Sequence, residues 1–211
     1  MVNRNLLLGA LAAAATGAIA QDSGSENIRF GNAFSLGATT NTYIIEAETT
    51  LYPGKTQSGD TPRLALWPGM GTDESQLIQA IVLASSDAQG AECGGKPHVN
   101  GEWCAFANKY DEASGNTTQT VSVEGKISST LSTKSGKAIG FGTAEEAQNE
   151  FKGVVYEHSY INTTVVLAAA DAHFASTLGK TGATGNLVTK DNKTFKVDKI
   201  TIAEYSFPAS A

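Results

Sequence analysis

Three groups of side chains have the types and spacing for chemistry. Gln79 interrupts the apolar run Leu77-Ile-Gln-Ala-Ile-Val-Leu-Ala84, on the strand face shared by Leu77 and Ile81. A buried amide left without a partner costs about 1–3 kcal/mol, so its position asks for a role. An amide N–H can donate to a developing oxyanion while a nearby carboxylate activates water. Glu150 and Glu157, the two ends of Glu150-Phe-Lys-Gly-Val-Val-Tyr-Glu157, are the candidate acids. The plainer reading leaves both glutamates solvated and lets Gln79 satisfy backbone groups. A second group is Glu46 and Glu48, two residues apart on one strand face. Their spacing of roughly 6.5–7 Å lies near the carboxylate separations of glycosidases. The third is aromatic: Trp67, Trp103, Tyr156 and Tyr160 could stack on sugar rings, although core packing is their commoner use. In a polysaccharide lyase, Gln79, His158, Tyr156 and Tyr160 would surround a uronate.

Other chemistries find little support. No Gly-x-Ser-x-Gly elbow and no His-Glu-x-x-His occurs. Asp171-Ala-His173 is too thin for a metal site, and Gly69-Met-Gly71 lacks the third glycine and the helix of a nucleotide fingerprint. Neither metal nor cofactor is expected. With 15 Lys and Arg against 21 Asp and Glu, the net charge of −6 argues against a nucleic-acid partner. Nothing beyond the leader is long and apolar enough for a membrane span.

The leader itself points to export. Arg4, the apolar Leu6–Ala15 stretch and Ala18-Ile19-Ala20 read as a secretory signal over residues 1–20, leaving one domain over 21–211. In an oxidising compartment the only two cysteines, Cys93 and Cys104, are most simply a disulfide. Asn116, Asn162 and Asn192 each begin an N-glycosylation sequon. The expectation is a secreted, extracellular, glycosylated monomer acting on a polypeptide or a polysaccharide.

The elements that must carry these residues are strands. Period-two runs rich in Thr, Val, Ile and Tyr recur between Gly, Ser, Asn and Asp clusters. They include Thr42–Leu51, Arg63–Trp67, Leu77–Ala84, Trp103–Ala107, Thr118–Val123, Lys126–Ser132, Gly153–Glu157, Ile161–Ala168 and Phe195–Tyr205. Many short strands at even spacing predict an all-β, single-domain antiparallel sandwich. Gly142–Glu150 reads as a short capped helix or a turn. Alternation places Tyr43, Ile45, Ala47 and Leu51 on one face of their strand, with Ile44, Glu46 and Glu48 on the other. It turns Ile161, Val165 and Leu167 inward and Asn162 and Thr164 outward. Leu77–Ala84, apolar on both faces, reads as a doubly covered strand.

Trp67-Pro-Gly-Met-Gly-Thr-Asp-Glu-Ser-Gln-Leu-Ile-Gln79-Ala-Ile-Val resembles the Trp-x-Gly-x-x-Gly … Leu-Gln-x-Gly-Val segment of the eqolisins, the secreted fungal glutamic peptidases. Gly101-Glu102-Trp103, Thr118–Leu131 and Tyr160–Leu167 resemble later strands of that family in the same order. The resemblance implies a concanavalin A-like jelly roll and acid-active peptide hydrolysis by a Gln–Glu pair. In that scheme the Glu activates water and the Gln steadies the oxyanion, and Gln79 falls on the catalytic Gln. The family's Ala-Glu-Trp-Ile-Val-Glu segment has two partial matches. Asn149-Glu150-Phe151 fits its beginning and Val154-Val155-Tyr156-Glu157 its end, so Glu150 and Glu157 both stand as the acid.

Overall fold

The computed structural model describes residues 28–39, 41–56, 63–73, 77–84, 102–109, 115–121, 125–133, 137–148 and 150–208. The expected signal segment, residues 1–20, and Cys93 lie outside the described residues. Those described form sixteen strands, all paired antiparallel, and one short 3-10 turn at Phe174–Thr177.

One layer is built on the long central strand β9 (Ala138–Gln148). It pairs on one side with β1 (Arg29–Phe30) and β2 (Ala33–Gly37), and on the other with β4 (Arg63–Thr72). From β4 the sheet continues through β5 (Leu77–Ala84) to β6 (Cys104–Lys109). The facing layer runs from β7 (Gly115–Val121) through β8 (Ile127–Thr133) and β3 (Ile44–Tyr52) to β11 (His158–Leu167) and β15 (Thr194–Ile202). The two layers join at one corner, where Ile44 of β3 meets Ala138 of β9. The strand pair β10 (Gly153–Val155) and β16 (Tyr205–Phe207) forms a separate ribbon. β12 (Gly179–Thr181), β13 (Ala183–Thr184) and β14 (Val188–Thr189) extend the edges.

Residues at alternate positions make the interior. Leu64, Leu66, Ile78, Val82 and Phe141 from one layer pack against Leu51, Leu131, Tyr160, Val165 and Ile200 from the other. This is an antiparallel β-sandwich. β5 is buried along its whole length, because its second face joins a smaller cluster of Ala65, Trp67, Leu77, Ile81, Leu83 and Ala144. The doubly covered strand expected from its composition is therefore present.

Three local expectations change. Gly142–Gln148 belongs to β9 and is neither helix nor turn. The helix propensity of Ala-Glu-Glu-Ala yields to pairing on both sides and to burial of Phe141, Thr143, Glu145 and Ala147 at every second position. The strand expected to end at Trp67 runs on to Thr72. Pro68 cannot donate to the ladder, yet the register with β5 is the same on either side of it, from Leu66↔Val82 to Gly69↔Gln79. In β3, Ile44 is buried and Ile45 is exposed, the reverse of simple alternation. The register against β11 slips between Val166 and Leu167, and this bulge at Ile45 turns the strand by one residue.

A second bulge in β11 lies between Ile161 and Thr164. It contains Asn162, whose φ of 53° is left-handed, a backbone that asparagine adopts more readily than most residues. Tyr160 takes the core position opposite Leu51 and Ile200, and Ile161 turns half outward. The Tyr160 ring is fully buried and its hydroxyl has no hydrogen-bond partner among the described residues. Replacing Tyr160 by Phe should therefore raise stability by about 1 kcal/mol, read as a higher urea midpoint at unchanged slope. An unchanged or lower midpoint would show that the hydroxyl is satisfied.

Candidate functional site

The outward face of the first layer carries Gln79. Through the shared register, Gln79 of β5 stands opposite Gly69 of β4, which stands opposite Gly142 of β9. The adjacent row is Leu77, Gly71 and Gly140. Four glycines thus leave a side-chain-free strip beside the amide. The Trp67 indole lies over it: a Cβ on Gly69 would sit 2.8 Å from its Cζ3. Gln79 is 7% exposed, and its amide makes no hydrogen bond among the described residues.

Among the described residues, the carboxylate on this face belongs to Glu146. Its Oε2 accepts a 2.8 Å hydrogen bond from Trp67 Nε1, and its Oε1 accepts one from Gln148 Nε2. Glu146 is opposite Ala65, two strands from Gln79 and four residues along. Sheet spacings put the two Cα atoms about 16 Å apart. Glu146 is hard to read from the sequence because its segment, Ala-Glu-Glu-Ala, has helical character. A strict period of two from Gly140 would have placed it on the Gln79 face.

The expected acids lie elsewhere. Glu150 is in the exposed turn after β9 with φ 59°. Glu157 is exposed between β10 and β11. It borders a cleft of about 630 Å³ that also includes Ala105 and Ile127, whose side chains face the interior between the layers. Neither glutamate is brought to the Gln79 face.

The carbohydrate candidates are also dispersed. Glu46 and Glu48 are exposed on the outside of the second layer, opposite Val166 and Thr164, on the far side of the sandwich from Gln79. Trp67, His158 and Tyr160 are 2%, 3% and 0% exposed, so a sugar ring has no face of them to stack on. Of this group only Tyr156, at 38%, is a large exposed aromatic. No set of three or more His, Cys, Asp or Glu among the described residues could hold a metal ion.

The sequence reading missed one further cluster. Glu145 points into the core from β9, where its Oε2 accepts the Asn32 N–H at 2.7 Å. Its Oε1 lies 3.7 Å from His158 Nδ1, which also contacts the Tyr156 carbonyl at 3.1 Å. Burial pushes the Glu145 carboxyl up to about 8, against the smaller effect of the Asn32 hydrogen bond. Burial pushes His158 down to about 4, against the Tyr156 carbonyl. Tyr160 is raised by its burial and then by the Glu145 charge. Gly31 leaves room for this carboxyl, since a Cβ there would lie 2.2 Å from Oε2.

Three solved chains are similar to this one. The scytalido-glutamic peptidase bound to a peptide-based transition-state analogue aligns over 82% of this chain and 99% of its own, with 10% identity and a TM-score of 0.43. SCP-B, a member of the eqolisin family of peptidases in complex with the tripeptide Ala-Ile-His, aligns over 86% and 100%, with 9% identity and a TM-score of 0.42. A second scytalido-glutamic peptidase complex, with a transition-state analogue inhibitor, gives 11% and 0.39. The likeness is distant. No protein-family model matches the chain, and no curated protein matches it.

Proposed function

We propose that this chain is a secreted, acid-active hydrolase of peptide bonds in which Gln79 steadies the oxyanion and Glu146 activates water. The observation that carries the reading is the shared face: a Gln79 amide without a hydrogen bond among the described residues, a glycine-lined strip, and a carboxylate fixed by the Trp67 indole. Gln and Glu divide the work by chemistry. The amide donates a hydrogen bond at any pH, whereas the carboxylate must be ionised to take a proton from water. The sequence resemblance of the Trp67–Val82 segment to the eqolisins supports the role of Gln79 only; the same resemblance implies Glu150 or Glu157 as the acid.

Export follows from the signal-like leader. The Cys93–Cys104 bridge belongs to this proposal, supported by the lack of a free cysteine among the described residues. So do the glycans, for which the exposed Asn162 and Asn192 are available.

A second reading has its own observation. The positions across from Gln79 are Gly69 and Gly142, and Ala144 is across from Trp67, so along these strands the first carboxylate on this face is Glu146, among the described residues. On that reading the chain is a binding protein without catalysis. The test is cleavage of an unfolded protein by the secreted chain between pH 3 and pH 7. Fragments that require both Gln79 and Glu146, but neither Glu150 nor Glu157, establish the hydrolase. Intact substrate from a folded protein establishes the second reading.

A further inference from the structure

We infer that the cleft at the end of the sandwich is a binding site for an organic cation, an ammonium or guanidinium carried on an apolar group. It is separate from the Gln79 face: its wall includes Ala105, which pairs with Val82 and packs on the interior side of β5 and β6. The cleft holds about 630 Å³, within the range of small-ligand sites.

Its walls divide by chemistry. Pro53, Trp103, Ala105 and Ile127 form an apolar part. Trp103 is fixed there by the hydrogen bond its Nε1 donates to the Gly54 carbonyl at 3.1 Å. A ring held by its edge presents its face without further ordering cost, and a tryptophan face attracts cations. Gly54 makes this closure possible: its φ is +71°, and a Cβ there would lie 2.7 Å from the Glu157 carbonyl oxygen.

The polar part is acidic. Glu102 and Glu157 both border the cleft and are exposed, and neither has an ion-pair partner among the described residues. The adjoining cation, Lys126, has its Nζ 5.3 Å from the centre of the Tyr52 ring. The inner wall is His158, whose Nε2 is buried with no hydrogen-bond partner among the described residues, while its Nδ1 side faces the Tyr156 carbonyl and Glu145. Two exposed carboxylates beside a fixed indole suit a positive charge, and the apolar wall suits the group that carries it. An anion would meet repulsion from both glutamates.

The experiment compares two probes of matched length, 3-phenylpropylamine and 4-phenylbutyrate, against the full chain at pH 6. Binding is read by calorimetry and by tryptophan emission, since the chain has only two tryptophans and Trp67 is buried. The amine should bind and change the emission; the carboxylate should not. Glu102→Gln and Glu157→Gln should each weaken the amine about fivefold, and the double variant more than tenfold. Trp103→Phe should remove the emission change. Both glutamates are exposed, so these variants should keep the far-UV spectrum and urea midpoint of the parent. Equal binding of the two probes, amine binding unchanged in the double variant, or no amine binding by the folded chain would each overturn the proposal.

Discussion

Raising the pH from 6.5 to 8 should lower the stability of this protein by about 2 kcal/mol, with the loss traceable to Glu145. In the unfolded chain Glu145 ionises near its ordinary value of 4.5, whereas in the folded protein its carboxyl keeps its proton up to about 8. Between those values the folded state binds the extra proton, so stability falls as pH rises. His158 acts with the opposite sign. Folded, it stays neutral down to about 4, while unfolded it takes a proton at 6.5, so stability rises with pH across that interval. From 4.5 to 6.5 the two slopes cancel and a plateau results. Above 6.5 only the Glu145 slope remains, at about 1.4 kcal/mol per pH unit. Urea midpoints across pH 4–8 would show the plateau and then the decline. In Glu145→Gln the decline above 6.5 should vanish, leaving only the rise from 4 to 6.5. A variant that falls in parallel with the parent from 6.5 to 8 would refute the assignment.

The sequence revealed the architecture better than the site, and the reason is physical. Strands with one wet face alternate visibly, as in β8 and β15, and turn residues punctuate them. Alternation fails where the chain adds a residue. The bulge at Ile45 reversed the inward and outward sets at the start of β3, and the bulge at Asn162 put Tyr160 into the core. Nothing in a single residue's identity announces a bulge, because it is defined by the partner strand. β9 was lost for a related reason. Ala-Glu-Glu-Ala is locally helical in character, and only pairing on both sides makes it a strand. That one misreading hid two carboxylates: Glu146 on the Gln79 face and Glu145 in the core. Gln79 itself was legible, because an amide within eight buried positions stands out against its neighbours.

Removing the amide and neutralising the carboxylate should fail in different ways, which is the sharpest test of the proposed chemistry. Gln79→Ala should lower kcat by about 10²–10³, the scale of one lost oxyanion donor, with KM nearly unchanged. The donor acts on charge that exists only in the transition state, so ground-state binding has little to lose. Gln79→Glu should not restore activity once ionised, since a carboxylate cannot donate. Glu146→Gln keeps the volume and hydrogen-bonding reach toward Trp67 Nε1 but cannot take a proton from water, so kcat should fall at least as far. It should also remove the acidic limb of the pH–rate profile, which Gln79→Ala should leave in place. Combining the two should cost less than the sum of the separate losses, because each is useful only while the other completes the same transition state. Trp67→Phe separates positioning from chemistry: it retains a ring over Gly69 and removes the N–H that holds Glu146. Its expected signature is a moderate loss in kcat with the pH profile retained. A pH–rate profile unchanged in Glu146→Gln would exclude Glu146 as the base, whatever the fate of the Gln79 variant.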